Sequence, residues 1–317
     1  MTATRVLVTH GFLRQLVPLQ PELYPIDVLT EHGDSEADYD LWLAANGAGI
    51  RAVVTSGMER VDAARLAWLP DLELIAVAAA GLDGIDLAAA AARGIAVTNA
   101  GHLNASDVAD FAVTLLLASR RDLFAADAWV REGKWAKAWM PVCGSVRAER
   151  VGIVGLGHIG RATAERLAPF GCAIRWWGRK AKADAPWDHE PDLAELARWA
   201  TTLIIAVAGT EDTRGLVSAE VLEALGPKGL LINVARGFVV DEPALKALLR
   251  SGGLGAAALD VVEHEPYDGT EWADVPNTIL TPHTGAGTRE AFAAMMGGAA
   301  DNVRRLFAGE PLLRQVV

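Results

Sequence analysis

Three short motifs late in the sequence carry side chains that could do chemistry. Asn233-Val234-Ala235-Arg236-Gly237 offers a cation, and Leu259-Asp260-Val261-Val262-Glu263-His264-Glu265-Pro266 offers carboxylates. Thr281-Pro282-His283-Thr284-Gly285 offers an imidazole. Each follows an apolar run of the kind that forms a strand, so all three can point into one cleft. A guanidinium anchors an anionic substrate and polarises its carbonyl. A protonated imidazole gives up a proton, and a carboxylate orients the imidazole and favours its charged form. Arg236, Glu265 and His283 together are what the reduction of an α-keto acid needs. Taken singly, each has an ordinary explanation: a surface arginine, a helix-cap glutamate, a histidine at the edge of a core.

Such a reduction needs a hydride source, and the sequence has a place for one. Val151-Gly152-Ile153-Val154 runs into Gly155-Leu156-Gly157-His158-Ile159-Gly160, then a helix-like segment to Phe170, then a second apolar run, Ala173 to Trp177. This strand, glycine turn, helix, strand order is that of a dinucleotide site. The first glycine permits the tight turn, the second lets the backbone approach a pyrophosphate, and the third lets helix and strand pack closely. The helix N-terminus adds free N–H groups and a positive dipole end. After the second strand an acid normally binds the adenosine ribose and repels a 2′-phosphate. Here the strand ends in Gly178-Arg179-Lys180. A glycine followed by two cations favours the phosphate of NADP(H), with Arg179 the direct ligand and Lys180 a weaker, screened partner. NAD(H) remains a usable cofactor in this reading.

These motifs sit in an alternating pattern of strands and helices, which predicts parallel sheets covered by helices. The first unit has strand-like runs at Val6–Thr9, Ala52–Thr55, Leu74–Ala78 and Ile95–Thr98, with helices such as Asp38–Asn46 and Val61–Trp68 between them. Its loop Ala78-Ala79-Ala80-Gly81-Leu82-Asp83-Gly84 is rich in small residues and follows a strand, where α/β sheets bind ligands. Taken by itself, a plain strand-to-helix turn is the better explanation of it. Asn104 to Arg121 reads as one long helix that carries the chain between domains. Residues 122–150 read as less regular and contain Trp129, Trp135 and Trp139. From Val151, six strands are expected: Val151–Val154, Ala173–Trp177, Leu203–Val207, Leu230–Val234, Ala256–Leu259 and Thr278–Leu280. A last helix covers Thr288 to Phe307.

The chain of 317 residues is long enough for two domains. Its net charge of −11 contains no basic tract, which disfavours nucleic acid as a partner. The two cysteines, Cys143 and Cys172, belong to no metal-binding pattern, so no metal is expected and a reducing cytoplasm suits the chain. The N-terminus lacks the apolar stretch of a signal peptide, and no run approaches a membrane span.

From about Leu66 to Met296 the sequence resembles the D-isomer-specific 2-hydroxyacid dehydrogenases. The resemblance rests on Gly81-Leu82-Asp83-Gly84-Ile85-Asp86, Asn99 to Asn104 with Val108-Ala109-Asp110, and the glycine turn. It continues through Asn233 to Gly237, Asp241-Glu242, Leu259 to Pro266, and Pro282-His283. Within that family the sequence is most similar to the glyoxylate/hydroxypyruvate reductases. The resemblance implies two doubly wound parallel-sheet domains. A Rossmann nucleotide-binding domain, 99–285, would be inserted in a flavodoxin-like substrate domain, 1–98 with 286–317. It gives Arg236 the substrate carboxylate and carbonyl, and makes Glu265 the partner of His283, the proton donor. Ala80 and Gly81, beside Leu82, would offer backbone N–H groups to the substrate. Asp260 would hold the nicotinamide carboxamide, with Val207, Val234, Ala235, Arg236 and His283 also against the cofactor. The resemblance further implies a homodimer, with Trp139 reaching an active site. Two departures stand out: Gly285 replaces a common serine, and Ala206-Val207-Ala208-Gly209 lacks a usual proline. Three rival readings remain. They are a reductase of larger 2-keto acids such as phenylpyruvates, a dinucleotide-sensing corepressor-like protein, and a phosphoglycerate dehydrogenase. The acidic charge weighs against the corepressor, and the missing ribose-binding acid against the last.

Overall fold

The computed structural model describes residues 4–317; Met1, Thr2 and Ala3, included in the reading of the N-terminus, lie outside the described residues. The chain divides into two compact units, Met1–Asn104 with Thr288–Val317, and Ala105–Gly287. The sequence set these changes a few residues away, at 98/99 and 285/286.

The first unit is a five-stranded parallel sheet. Its strands are β1 (Arg5–Val8), β2 (Ile26–Val28), β3 (Ile50–Thr55), β4 (Leu74–Val77) and β5 (Ala96–Thr98), in the spatial order β2-β1-β3-β4-β5. That is the flavodoxin-like order. Strand β2 was not foreseen, because three residues after Pro25 give no periodicity to read. The expected helix Val61–Trp68 is shorter, Ala63–Ala67; Val61 instead bridges Ile85, and the Asp62 side chain caps the helix. At the other end of the chain, Thr288 caps a helix over Arg289–Ala308. Its buried Met295, Met296 and Val303 face the unit's interior, and it packs on β4.

The second unit holds seven parallel strands, one more than expected. They are β6 (Arg150–Val154), β7 (Ala173–Trp177), β8 (Asp188–His189), β9 (Thr202–Ile205), β10 (Leu230–Asn233), β11 (Ala256–Leu259) and β12 (Thr278–Leu280). Their order is β12-β11-β10-β9-β6-β7-β8. The extra strand is the two-residue edge β8, too short to show a pattern. The order reverses at β6, which is the switch point where a doubly wound sheet binds its ligand. Alternate residues of each strand enter two cores. Val151, Ile153, Ile204 and Ile232 pack with Val108, Leu115 and Leu116 of the helix Ala105–Arg120. Leu203, Ile205, Leu231 and Leu259 pack on the other face with Leu196, Leu222 and Leu245. Each buried leucine or isoleucine contributes about 1.5–3 kcal/mol, so both faces of the sheet are held. Gly152 is glycine because a Cβ there would lie 2.9 Å from a Leu203 methyl. The stretch read as irregular contains a helix, Leu123–Arg131, none of whose residues is buried. An exposed helix lacks the one-sided burial that makes a period legible.

Candidate active site

Because β6 to β12 are parallel, every loop that follows them leaves the same edge of the sheet. The glycine turn comes first. Gly155 has φ of +95°, and a Cβ there would sit 2.9 Å from backbone atoms of Val207. Any side chain at 155 is therefore excluded twice, by conformation and by space. Gly160 faces the Gly155 carbonyl so closely that a Cβ would overlap it. Gly157 is different: a Cβ would meet nothing within 4 Å. The open space lies where a pyrophosphate has to approach the backbone. Gly157 also begins the helix His158–Leu167 and makes no side-chain cap, so that helix's first N–H groups are not taken up by a capping side chain. The turn therefore fits a dinucleotide.

Arg179 and Lys180 follow Gly178 beyond β7, and both are exposed. The Arg179 guanidinium lies 3.3 Å from Asp212, in the loop after β9, and each side chain is 77% exposed. Asp212 was not singled out in the sequence, and only the fold brings it here. Val207, Val234 and Ala235 lie at the ends of β9 and β10 on the same edge, with Val234 and Ala235 buried.

The loop after β10 positions Arg236. Asn233 is buried; its Nδ2 donates to the Arg236 carbonyl at 2.9 Å and its Oδ1 accepts from Ala235 N at 3.0 Å. The side chain thus closes the turn on itself. Two glycines make room around it. Gly209 lies so close to the Arg236 stem that a Cβ would overlap Cγ, and Gly237 packs its backbone against that of Val262 and Glu263. The Arg236 and Glu265 loops can abut only because residue 237 has no side chain. A buried Glu242 carboxylate accepts the Glu263 N–H at 2.8 Å and pairs with Lys246 at 2.8 Å.

Glu265 and His283 meet. Nδ1 of His283 lies 2.6 Å from Oε2 of Glu265, and Oε1 accepts the Val262 N–H at 2.9 Å. Burial pushes the Glu265 carboxyl up. The hydrogen bonds from His283 and Val262, with the charges of His283 and Arg236, outweigh that and hold it below the usual carboxylate range. His283 itself has φ of +52°, a left-handed conformation that is uncommon for a residue with a side chain. Its N–H donates to the Asp260 carbonyl at 2.9 Å. Asp260, only 3% exposed, holds the rest of the loop: its carboxylate accepts from Thr281 Oγ1, Thr284 N and Gly285 N at 2.7–2.8 Å. The sequence marked Asp260 for the nicotinamide, and its bonds within the chain fasten the His283 loop. A Cβ on Gly285 would lie 2.8 Å from the Asp260 carboxylate, which explains glycine there.

Two further groups of expected residues come from other parts of the chain. Ala80, Gly81 and Leu82 belong to the first unit, in the loop after β4. There Asn99 Nδ2 donates to the Ala80 carbonyl at 2.8 Å, and Gly57, at φ of +86°, packs on the Gly81 carbonyl. Trp139 is 85% exposed, edge-on to Trp135 with ring centroids 6.4 Å apart.

A doubly wound sheet with a glycine turn at its switch point, and an Arg, Glu and His set on the same edge, defines a dinucleotide-dependent oxidoreductase. The family model "D-isomer specific 2-hydroxyacid dehydrogenase, NAD binding domain" matches residues 113–285. The chain is 41% identical to glyoxylate/hydroxypyruvate reductase A of Arabidopsis thaliana, over 84% of this chain and 86% of the relative. It is 39% identical to hydroxyphenylpyruvate reductase of Plectranthus scutellarioides, over 87% and 88%. It is also similar to a solved NADPH-dependent glyoxylate/hydroxypyruvate reductase of Sinorhizobium meliloti, in complex with NADP and malonate. There the TM-score is 0.87 and the identity 34%, with 99% of this chain and 97% of that one covered. The chain belongs to the D-isomer-specific 2-hydroxyacid dehydrogenase family and is an NAD(P)-dependent oxidoreductase. Among the described residues no helix is long and apolar enough to cross a membrane.

Proposed function

We propose that this protein is an NADPH-preferring reductase of small 2-keto acids of the glyoxylate and hydroxypyruvate type, giving D-2-hydroxy acids. The observation that carries this reading is the 2.6 Å contact between His283 and Glu265, with Arg236 close enough for its charge to act on the same carboxylate. A nicotinamide dinucleotide held through its pyrophosphate at the glycine turn would, when bound, supply the hydride for the keto carbon. Arg236 anchors the substrate carboxylate and stabilises the charge that develops on the carbonyl oxygen. With Nδ1 engaged by Glu265, His283 gives that oxygen a proton from Nε2. Ala80, Gly81 and Leu82 are the proposed backbone and side-chain contacts for the substrate, and Asp260 reaches the nicotinamide as well as its own loop. Preference for NADPH rests on Arg179 and Lys180, where an acid would otherwise stand.

We place the protein in the cytoplasm as a homodimer. Supporting the dimer, Leu123, Phe124, Val130, Trp135, Trp139 and Val142 leave a run of large apolar side chains exposed on one chain. Trp139 then acts beside a substrate only once a second copy is present. Sedimentation at micromolar concentration should give twice the chain mass; a monomer with full activity would remove Trp139 from the substrate site.

A second reading, reduction of larger keto acids, is favoured by the similarity to hydroxyphenylpyruvate reductase. Oxidation of NADPH and NADH is to be followed with glyoxylate, hydroxypyruvate, pyruvate and phenylpyruvate. Highest kcat/KM on the first two supports the main reading, highest on phenylpyruvate supports the second, and no turnover on any sinks both.

A further inference from the structure

We infer that Lys182 is a cofactor-holding residue, a cation fastened to the glycine turn so that it meets the pyrophosphate of either nicotinamide dinucleotide. Its Nζ donates to the carbonyl of Leu156 at 2.7 Å. Leu156 lies between the first two glycines of the turn, next to Gly157, whose open side leaves room for the phosphates. The segment carrying Lys182 is tied down at two further points. Asp184 pairs at 2.6 Å with Arg161, in the first turn of the helix His158–Leu167. The Trp187 carbonyl accepts from the buried Trp176 indole at 3.1 Å. Lys182 is thus held at the turn by the fold, although the segment itself is exposed.

An ammonium has three donors, and the Leu156 carbonyl takes one. Among the described residues no carboxylate pairs with Lys182, so its charge is not already neutralised by the chain. A cation at that place adds to the positive helix end, and the two act on the same group. The charge also divides between two tasks. Arg179 lies beyond the end of β7, on the side where a 2′-phosphate distinguishes NADPH from NADH. Lys182 lies at the turn, where the two cofactors are identical. Its contribution therefore does not depend on the NADPH preference proposed above, only on the dinucleotide site.

The test is direct binding of NADH, NADPH, ADP and adenosine to wild type, Lys182→Met, Lys182→Arg and Arg179→Ala. Lys182→Met should weaken NADH, NADPH and ADP alike, by roughly 5- to 20-fold at low salt, and leave adenosine within about twofold. Lys182→Arg should restore most of the loss. Arg179→Ala should weaken NADPH alone. If Lys182→Met binds NADH and ADP as wild type does, or weakens adenosine equally, the assignment is overturned and the lysine only staples the loop. A loss confined to NADPH also overturns it, moving Lys182 to the 2′-phosphate. Because NADH and ADP carry no 2′-phosphate, failure of the NADPH preference leaves this result readable.

Discussion

His283 Nδ1 and Glu265 Oε2 are 2.6 Å apart, and the carboxylate's other oxygen is bound to the Val262 N–H of its own loop. One oxygen orients the imidazole while the other fixes the carboxylate, so neither is left to solvent chance. The Glu265 carboxylate holds the imidazole whose proton reduction requires. Glu265→Gln keeps the shape and removes the charge. Reduction should slow by about 10²-fold. An unchanged kcat would take Glu265 out of the mechanism.

The same carboxylate links stability to pH. Folding lowers its pKa, so it adds stability above the unfolded value of about 4.3, and that gain disappears as pH falls through the folded value. At neutral pH the wild type should melt at a higher temperature than Glu265→Gln, and the two should converge in acid. Melting curves whose separation grows as the pH drops contradict this sign.

Asp260 is buried and accepts three hydrogen bonds from the His283 loop. Asp260→Asn puts an amide donor against donors, which costs about 1–3 kcal/mol for a buried group left unsatisfied. The kcat for reduction should fall more than tenfold through loss of loop geometry. Gly285→Ser pushes on the same carboxylate, 2.8 Å from the new Cβ, and should lower kcat in the same way. Full activity in both variants would show that the loop is held by other means.

Arg179 and Asp212 form an exposed ion pair at 3.3 Å. Exposed pairs are worth about 0–1 kcal/mol, so a 2′-phosphate can displace Asp212, but the acid also repels the phosphate. Asp212→Asn should tighten NADPH by up to about fivefold and leave NADH nearly unchanged. Arg179→Ala should abolish the discrimination. Equal binding of both cofactors by all three proteins would end the phosphate-clamp reading.

Much of this was legible from residues alone, and the reasons differ by element. The parallel sheets were readable because strands such as Leu74–Val77 are buried on both faces and show as unbroken apolar runs. The glycine turn was readable because the packing demands glycine at 155 and 160, and a glycine at 157 leaves the backbone open to a phosphate. Strands Ile26–Val28 and Asp188–His189 were not, because two or three residues hold no period. The helix Leu123–Arg131 was missed because it buries no face. In the site, Arg236, Glu265 and His283 stood out by type and position. The contacts around them and around the cofactor motifs did not: Gly209 and Gly237 pack on Arg236 and on Val262, Asp212 on Arg179, and Lys182 on Leu156, all through the fold. A glycine flags tight space, but its neighbour is named only by the fold.

The most direct measurement of the central claim is single-turnover reduction of hydroxypyruvate by His283→Ala with saturating NADPH, beside the dissociation constant for NADPH. The account predicts reduction slowed by about 10²–10⁴-fold, with cofactor affinity within about threefold of wild type. Reduction at the wild-type rate would contradict the assignment of His283 as proton donor, and with it the reading of this site.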